Sequence, residues 1–172
     1  MDVGVLVIRL AVGLIIAAHG TQKLFGWFDG PGIGGTAGML ESMGFTPARP
    51  FAILTGTSEM MGGLALASGF FTPLAVAMIV GTMTVAIVKV HLPKGFFNAK
   101  GGFEFPLLIA LGALGVGLSG PGFDSIDRLI GVALPYPTAG ILALIVGLGM
   151  GLGVATLSSL AVGRHKFKSL NA

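Results

Sequence analysis

Cysteine is absent from this sequence, and charged residues are scarce. Without cysteine, the 172-residue chain cannot form a structural disulfide, carry out thiol–disulfide exchange or hold a Cys-ligated iron–sulfur cluster. Charged residues make up 10% of the chain and hydrophobic residues 53%, whereas soluble domains carry about 25% charged residues. So little charge cannot cover a water-soluble globule. The sequence therefore predicts a single integral membrane domain over residues 1–172.

Several other signatures are missing as well. The net charge is only +3 and is scattered, so no nucleic-acid partner is expected. No H-x3-H or E-x2-H pair occurs, so no metal site is expected. No haem or flavin motif occurs, which leaves the cofactor unknown, with a quinone as a candidate. The N-terminus lacks a basic n-region and carries Asp2, so it is predicted to be a retained helix rather than a cleaved signal.

What the chain does contain is five long apolar segments. None shows the alternation of a strand, and only helices or closed barrels can cross a bilayer. The fold predicted is an all-α membrane protein, a four-helix transmembrane bundle with a fifth C-terminal transmembrane helix. A short interfacial helix is predicted over residues 36–46. The predicted spans cover about residues 3–28, 51–69, 74–91, 104–118 and 138–162.

Basic residues predict the orientation of these spans. Cytoplasmic loops carry an excess of lysine and arginine. The side that holds the C-terminus would carry eight basic residues and the opposite side two, Arg9 and Arg128. The sequence thus predicts a multi-pass protein of a bacterial-type plasma membrane, with its N-terminus outside and its C-terminus in the cytoplasm. The eight residues are Lys23, Arg49, Lys89, Lys94, Lys100, Arg164, Lys166 and Lys168.

Five ionisable residues in or beside the first four segments fall toward the same membrane face. An ionised side chain in hydrocarbon costs at least about 2.5–3.5 kcal/mol, so each needs a partner or a function. His19 and Lys23 are four residues apart and share a helix face. Glu59 lies roughly 12 Å along the second segment. Because His91 ends the third segment and Glu104 begins the fourth, all five are predicted to meet in one cavity.

Such a cavity would suit proton transfer or the binding of a polar ligand. We assign His19, Glu59 and His91 as candidate catalytic residues that relay protons. Lys23 and Glu104 are candidate substrate-binding residues, for a quinone oxygen or a small anion. A structural explanation competes with each role. Glu59 could pair with Lys23 or hydrogen-bond to His19 as a purely structural contact, and His19 could simply complete a packing contact. Lys23 could snorkel to the interface, and His91 could lie at the interface. Glu104 could simply favour the N-terminus of its helix.

Arg9 stands apart from this group, near the opposite face. Asp124 and Asp127 lie in the loop that the topology brings to that face. An ion pair between Arg9 and either carboxylate would offset the cost of burying the guanidinium. We interpret these three residues as a structural latch.

Several stretches of the chain carry a family resemblance. They are Arg9-Leu10 with Gly13, His19 to Phe28, Gly34 to Ala37, Glu59 with Gly62-Gly63, Phe71 to Leu74, His91 to Leu107, and Gly120-Pro121-Gly122 with Ser125 to Asp127. Together, over about residues 4–130, they resemble the DoxX family of small membrane proteins. The resemblance implies a four-helix bundle and an association with quinone-linked oxidoreductases, from quinol oxidase to thiosulfate:quinone oxidoreductase. It implies no agreed catalytic residues, and the fifth segment lies beyond the usual core.

Three functional hypotheses follow. The first is a membrane subunit of a quinone-linked oxidoreductase, whose partners are the lipid bilayer and other membrane or membrane-associated subunits. The second is a non-enzymatic scaffold or accessory subunit, favoured by small-residue helix faces and the extra helix. The third is a small-solute carrier. It is ranked last because the sequence lacks the broken helix pairs of transporters.

Overall fold

The computed structural model describes the backbone of residues 3–170 and the side chains of residues 3–158. This part of the chain folds entirely into helices, loops and turns. The basic side chains after position 158, which contribute to the predicted orientation, lie outside the described residues. The seven α-helices are α1 (Val3–Phe25), α2 (Gly32–Ser42), α3 (Ala48–Ser68), α4 (Thr72–Ala86), α5 (Glu104–Ser119), α6 (Ile126–Leu129) and α7 (Thr138–Leu170).

Four of these helices form a closed bundle. Helix α1 packs against α3, α3 against α4, α4 against α5, and α5 returns to α1. The core between them consists of buried aliphatic side chains such as Ile16, Leu66, Ile79, Ile109 and Val116. Helix α2 lies outside the bundle against α1 and α3, and α7 lies outside it against α4 and α5. The architecture is therefore a four-helix core with two peripheral helices and the short α6.

All five apolar segments are helical, but not all have the length and composition of a membrane span. Within the described residues, three helices are long and apolar enough to cross a bilayer: Val3–Phe25, Thr72–Lys94 and Thr138–Ser158. Helix α5 has 16 residues and is about 24 Å long, shorter than the roughly 30 Å hydrocarbon core. Helix α3 is less apolar because it carries glycines, hydroxyls and Glu59.

The third segment changes its helical geometry near its end. Helix α4 continues into a π-helical turn, Ile87–His91, and then into a single 3₁₀ turn, Leu92–Lys94. A π turn widens the helix by one residue and rotates the side chains that follow it. His91 is the last residue of this π turn.

Glycines allow α1 and α3 to touch backbone to backbone. A Cβ atom on Gly13 would lie 2.6 Å from the carbonyl oxygen of Gly63, and one on Gly63 would lie 2.5 Å from that of Gly13. Seven residues further along α1, a Cβ on Gly20 would lie 2.7 Å from the carbonyl oxygen of Gly56. Such small-residue contacts hold membrane helices together through close packing. The α1–α3 junction is consequently a direct contact between helix backbones.

Replacing Gly20 with alanine should weaken this junction. The new methyl group would lie 2.3 Å from the backbone nitrogen of Met60, so the two helices must separate. Overpacking of this kind costs about 1–3 kcal/mol. We expect a lower midpoint of thermal unfolding in detergent for Gly20→Ala.

Gly115 in α5 provides the matched control. A Cβ at that position meets no atom within 4 Å, and alanine is the better helix former by up to about 1 kcal/mol. Gly115→Ala should therefore unfold at the wild-type temperature or slightly above it. An unchanged midpoint for Gly20→Ala would contradict the close α1–α3 contact.

Candidate functional site

A polar cavity of about 440 Å³ opens within the bundle. Helix α1 contributes His19 and Lys23, α3 contributes Glu59, and the π turn contributes His91. Four of the five residues expected to share a cavity therefore do so. The remaining lining residues are Ile16, Met83, Ala86, Asn98, Phe105 and Pro106. The volume lies within the range of small-ligand sites, about 300–1,000 Å³.

Glu59 and Lys23 form an ion pair in this cavity. The Lys23 ammonium donates a hydrogen bond to Oε1 of Glu59. The Glu59 side chain is 2% exposed and that of Lys23 22%, so the pair lies at the inner wall of the cavity. The second carboxylate oxygen, Oε2, is buried and has no hydrogen-bond partner among the described residues. A buried acceptor left in this way costs about 1–3 kcal/mol, and more when it is charged.

His91 is held in one orientation by a backbone contact. Its Nδ1 lies 2.7 Å from the carbonyl oxygen of Gly101. A carbonyl oxygen only accepts hydrogen bonds, so Nδ1 carries the proton and donates it to this bond. In the neutral ring, Nε2 is then the acceptor nitrogen. Gly101 has φ of +78°, a left-handed conformation that glycine adopts readily, and this turn positions the carbonyl for His91.

His19 contacts an aromatic neighbour in the cavity wall. Its ring centroid lies 5.6 Å from that of Phe105, with the ring planes tilted by 57°. The contact joins α1 to α5 and places two flat rings in the cavity wall. Ile16 and Met83, both nearly fully buried, add apolar surface. The cavity thus combines polar groups with walls that suit a flat apolar ring.

Glu104 lies outside the cavity lining. Its side chain is exposed at the start of α5, and Oε2 accepts a hydrogen bond of 2.9 Å from the backbone N–H of Asn98. Asn98 itself lines the cavity. Glu104 therefore anchors the loop that forms one side of the cavity, and its carboxylate is used for that contact.

At the other end of the bundle, Arg9 binds the loop that carries Asp124 and Asp127. The guanidinium is 2% exposed and donates to three main-chain carbonyls, those of Ala67, Pro121 and Asp124. The sequence predicts an ion pair of Arg9 with Asp124 or Asp127, but Arg9 instead forms hydrogen bonds to main-chain carbonyls. Both carboxylates act on Arg9 only through longer-range charge attraction, because the planar guanidinium fork fits the carbonyls of the turn.

Asp127 has a separate partner, the start of α4. Oδ1 accepts a 2.7 Å hydrogen bond from the backbone N–H of Phe71, and Oδ2 accepts from the backbone N–H and the hydroxyl of Thr72. These contacts satisfy N–H groups that a helix start leaves unpaired. They also hold Phe71 at φ of +44°, a conformation that is costly for a residue with a side chain. Burial and the charge of Asp127 raise the pKa of nearby Tyr136.

Some cavity residues were not anticipated from the sequence. Phe105 and Met83 read only as apolar helix positions, and Asn98 only as part of a loop. The π turn that contains His91 has no sequence signature, whereas Gly101 and Gly102 do mark the tight turn that supplies its partner. Within the described part of the chain, no group of three or more His, Asp or Glu side chains could hold a metal ion.

The helices and the cavity define an all-helical membrane protein with a polar site inside a four-helix bundle. Comparison with protein families agrees: the sequence model of the DoxX family matches residues 4–92. The chain belongs to the DoxX family of membrane proteins. The match spans α1 to the start of the loop after α4, so it includes His19, Lys23, Glu59 and His91 but not α5 or α7.

Individual relatives extend the similarity along the chain. The "uncharacterized membrane protein Rv3486" of Mycobacterium tuberculosis is 34% identical over 134 residues, 72% of this chain and 79% of that protein. The "inner membrane protein YqjF" of Escherichia coli is 32% identical over 132 residues, 75% of this chain and 93% of that protein.

A more distant relative carries an enzymatic name. The "putative oxidoreductase CatD" of Bacillus subtilis is 26% identical over 129 residues, 75% of this chain and 88% of that protein. No solved structure matches this chain.

Replacing Asp127 with asparagine should destabilise the junction between α3 and α4. Asparagine retains one acceptor oxygen, so at least one of the N–H or hydroxyl donors on Phe71 and Thr72 loses its partner. We expect a loss of about 1–3 kcal/mol in the free energy of unfolding, measured by denaturant titration in detergent.

The matched control is Asp124→Asn. The Asp124 carboxylate is exposed and Arg9 binds its main-chain carbonyl, so only the charge attraction to Arg9 is removed. This variant should lose less stability than Asp127→Asn. Equal losses would show that Asp127 acts as a general negative charge and not as the cap of α4.

Proposed function

We propose that this protein is a membrane subunit of a quinone-linked oxidoreductase and that its cavity binds the headgroup. The observation that carries the proposal is Oε2 of Glu59, a buried acceptor with no partner among the described residues, inside a cavity large enough for an aromatic ring. The large majority of buried polar side-chain atoms in proteins have a hydrogen-bond partner. The free oxygen supports a ligand that completes the site.

The roles of the cavity residues follow from their contacts. Lys23 pairs with Glu59 and offers its remaining N–H groups to a ligand oxygen. Glu59 and His19 take up or release a proton at that oxygen, and His91 contributes its Nε2. Glu104 serves indirectly, as a positioning residue for the loop at Asn98. Electrons come from or pass to a redox-active partner subunit.

The comparisons support the class of this activity. The chain belongs to the DoxX family, and the relative CatD is named as an oxidoreductase. The ion pair also bears on the choice of ligand, because Glu59 already balances the positive charge of Lys23. A neutral headgroup therefore suits the cavity better than a small anion.

A non-enzymatic scaffold subunit is the second candidate. The observation that favours it is the same ion pair, which joins α1 to α3 as a purely structural contact would. The packing of α7 on the outside of the bundle, with Gly147 and Gly151 against α4, also suits an assembly role. The two candidates differ in whether the cavity has a ligand.

For the topology, we propose one membrane domain in which α1, α3, α4, α5 and α7 each cross the plasma membrane. The four core helices pack around one another in one closed bundle, which supports crossing by α3 and α5 although they are less apolar or shorter. The basic loop between α4 and α5 then lies in the cytoplasm with the C-terminus, and the N-terminus lies outside.

Filling the cavity should abolish quinone binding. Ala86 lines the cavity, and phenylalanine at this position would occupy the space of a headgroup. Trp27 is the only tryptophan in the chain and follows Lys23 by four residues, just past the end of α1, so quinone binding should quench its fluorescence. We expect saturable quenching by a short-chain benzoquinone in the wild type and none in Ala86→Phe.

Ala11→Phe is the matched control for this experiment. Ala11 is exposed on the outer face of α1, so the same substitution there leaves the cavity open and saturable quenching should persist. If the wild type shows no saturable quenching, the quinone site is wrong and the scaffold role is favoured. If Ala86→Phe binds as the wild type does, the ligand occupies another site.

Single cysteines can test the topology directly, because the chain has no native cysteine. Leu129 in α6 is 84% exposed, and Lys100 is exposed in the loop before α5. In intact spheroplasts, a membrane-impermeant maleimide should label Leu129→Cys, and it should label Lys100→Cys only after lysis. The reverse pattern would place the N-terminus in the cytoplasm, and labelling of both would contradict an odd number of spans between them.

A further inference from the structure

The cavity presents hydrogen-bond acceptors whose geometry discriminates between the two redox forms of a headgroup. Oε1 of Glu59 is occupied by Lys23, and Oε2 is buried without a partner among the described residues. An ionised carboxylate has no hydrogen to donate. A ligand that satisfies Oε2 must therefore bring its own O–H or N–H group.

His91 adds a second acceptor to the same cavity. Its Nδ1 proton is committed to the carbonyl oxygen of Gly101 at 2.7 Å, so the neutral ring offers Nε2 as an acceptor. His91 and Glu59 both line the cavity. The site thus provides two acceptors on elements that the bundle holds in place.

A quinone and a hydroquinone differ in what they offer these groups. The carbonyl oxygens of a quinone only accept hydrogen bonds. One of them can accept a hydrogen bond from Lys23, but this leaves Oε2 of Glu59 unpaired. A phenolic hydroxyl donates as well as accepts. It can donate to Oε2 of Glu59 while it accepts from the ammonium of Lys23. The hydroquinone therefore satisfies the ion pair on both sides, and the quinone satisfies one side only.

We infer that the cavity is selective for the reduced, hydroxyl-bearing form of its headgroup, which donates a hydrogen bond to Oε2 of Glu59. This inference rests on the proposed function, since it concerns the ligand of that site. A hydrogen bond to a charged acceptor supports a preference of roughly tenfold over the quinone. Preferential binding of the reduced form raises the midpoint potential of the bound couple, by about 30 mV for a tenfold preference in a two-electron couple.

The test uses three small ligands that share a ring and differ in hydrogen-bonding groups. They are 2,3-dimethoxy-5-methyl-1,4-hydroquinone, the corresponding benzoquinone, and the dimethyl ether of the hydroquinone, which cannot donate. Binding to the detergent-solubilised full-length wild type is measured anaerobically by isothermal titration calorimetry. We expect the hydroquinone to bind roughly tenfold more tightly than either of the other two.

The variant Glu59→Gln combined with Lys23→Met gives an independent readout. Removing both partners avoids an unpaired buried charge, and the glutamine amide can donate to a quinone carbonyl. The preference for the hydroquinone should disappear or reverse in this double variant. Its retention would show that Glu59 is not the acceptor, which overturns the inference.

The remaining outcomes separate this inference from the proposed function. Equal binding of the hydroquinone and the benzoquinone to the wild type, or tighter binding of the benzoquinone, overturns the selectivity but leaves a quinone site. Tight binding of the dimethyl ether shows that a ring suffices and that no ligand donor reaches Oε2. If no ligand of the three binds, the proposed function fails and the inference fails with it.

Discussion

The close approach of α1 to α3 is the constraint on which the cavity depends. Gly13 faces Gly63, and Gly20 faces Gly56 and the backbone of Met60. A side chain at either crossing would push the helices apart. Because the backbones touch, Lys23 on α1 reaches Glu59 on α3 directly. The same approach turns His19, beside Gly20, toward α5, where it meets Phe105. Packing by glycine thus determines which polar groups meet.

The Lys23–Glu59 pair then sets the electrostatics of the bundle. Each ionised group alone would cost at least about 2.5–3.5 kcal/mol in hydrocarbon, and removing one partner of a buried pair typically costs about 3–5 kcal/mol. A pair of apolar residues would fill the same space without the free-energy cost of burying charged groups. The polar pair leaves one buried carboxylate oxygen without a hydrogen-bond partner among the described residues, which no apolar pair could do. A contribution to folding stability therefore does not explain why the chain has the Lys23–Glu59 pair at this position.

The fold and the cavity were accessible from the sequence to different degrees. Hydropathy located the five helical segments, and helical spacing with loop order brought His19, Lys23, Glu59 and His91 to one end. The ends of elements were harder: α1 stops at Phe25, before the aromatic run is complete, because the chain turns at Gly26 with φ of +74°. Glu104 was misplaced because a charge at a helix start can turn to the preceding loop as easily as inward. The contacts of Arg9 with carbonyls follow from turn geometry, which composition does not encode.

The two polar ends of the bundle differ in how completely their charged groups are satisfied by hydrogen bonds. At the Arg9 end, the guanidinium and the Asp127 carboxylate have hydrogen-bond partners at each of their polar sides. This end binds a turn and joins α3 to α4. At the cavity end, the charges of Lys23 and Glu59 cancel. Oε2 of Glu59 nevertheless lacks a hydrogen-bond donor among the described residues. An anion entering there would meet that carboxylate and be repelled, whereas a neutral molecule with a hydroxyl group would supply the missing hydrogen without adding charge. At the Arg9 end, the charged groups therefore need no ligand. At the cavity end, a neutral hydrogen-bond donor would supply the partner that Oε2 of Glu59 lacks.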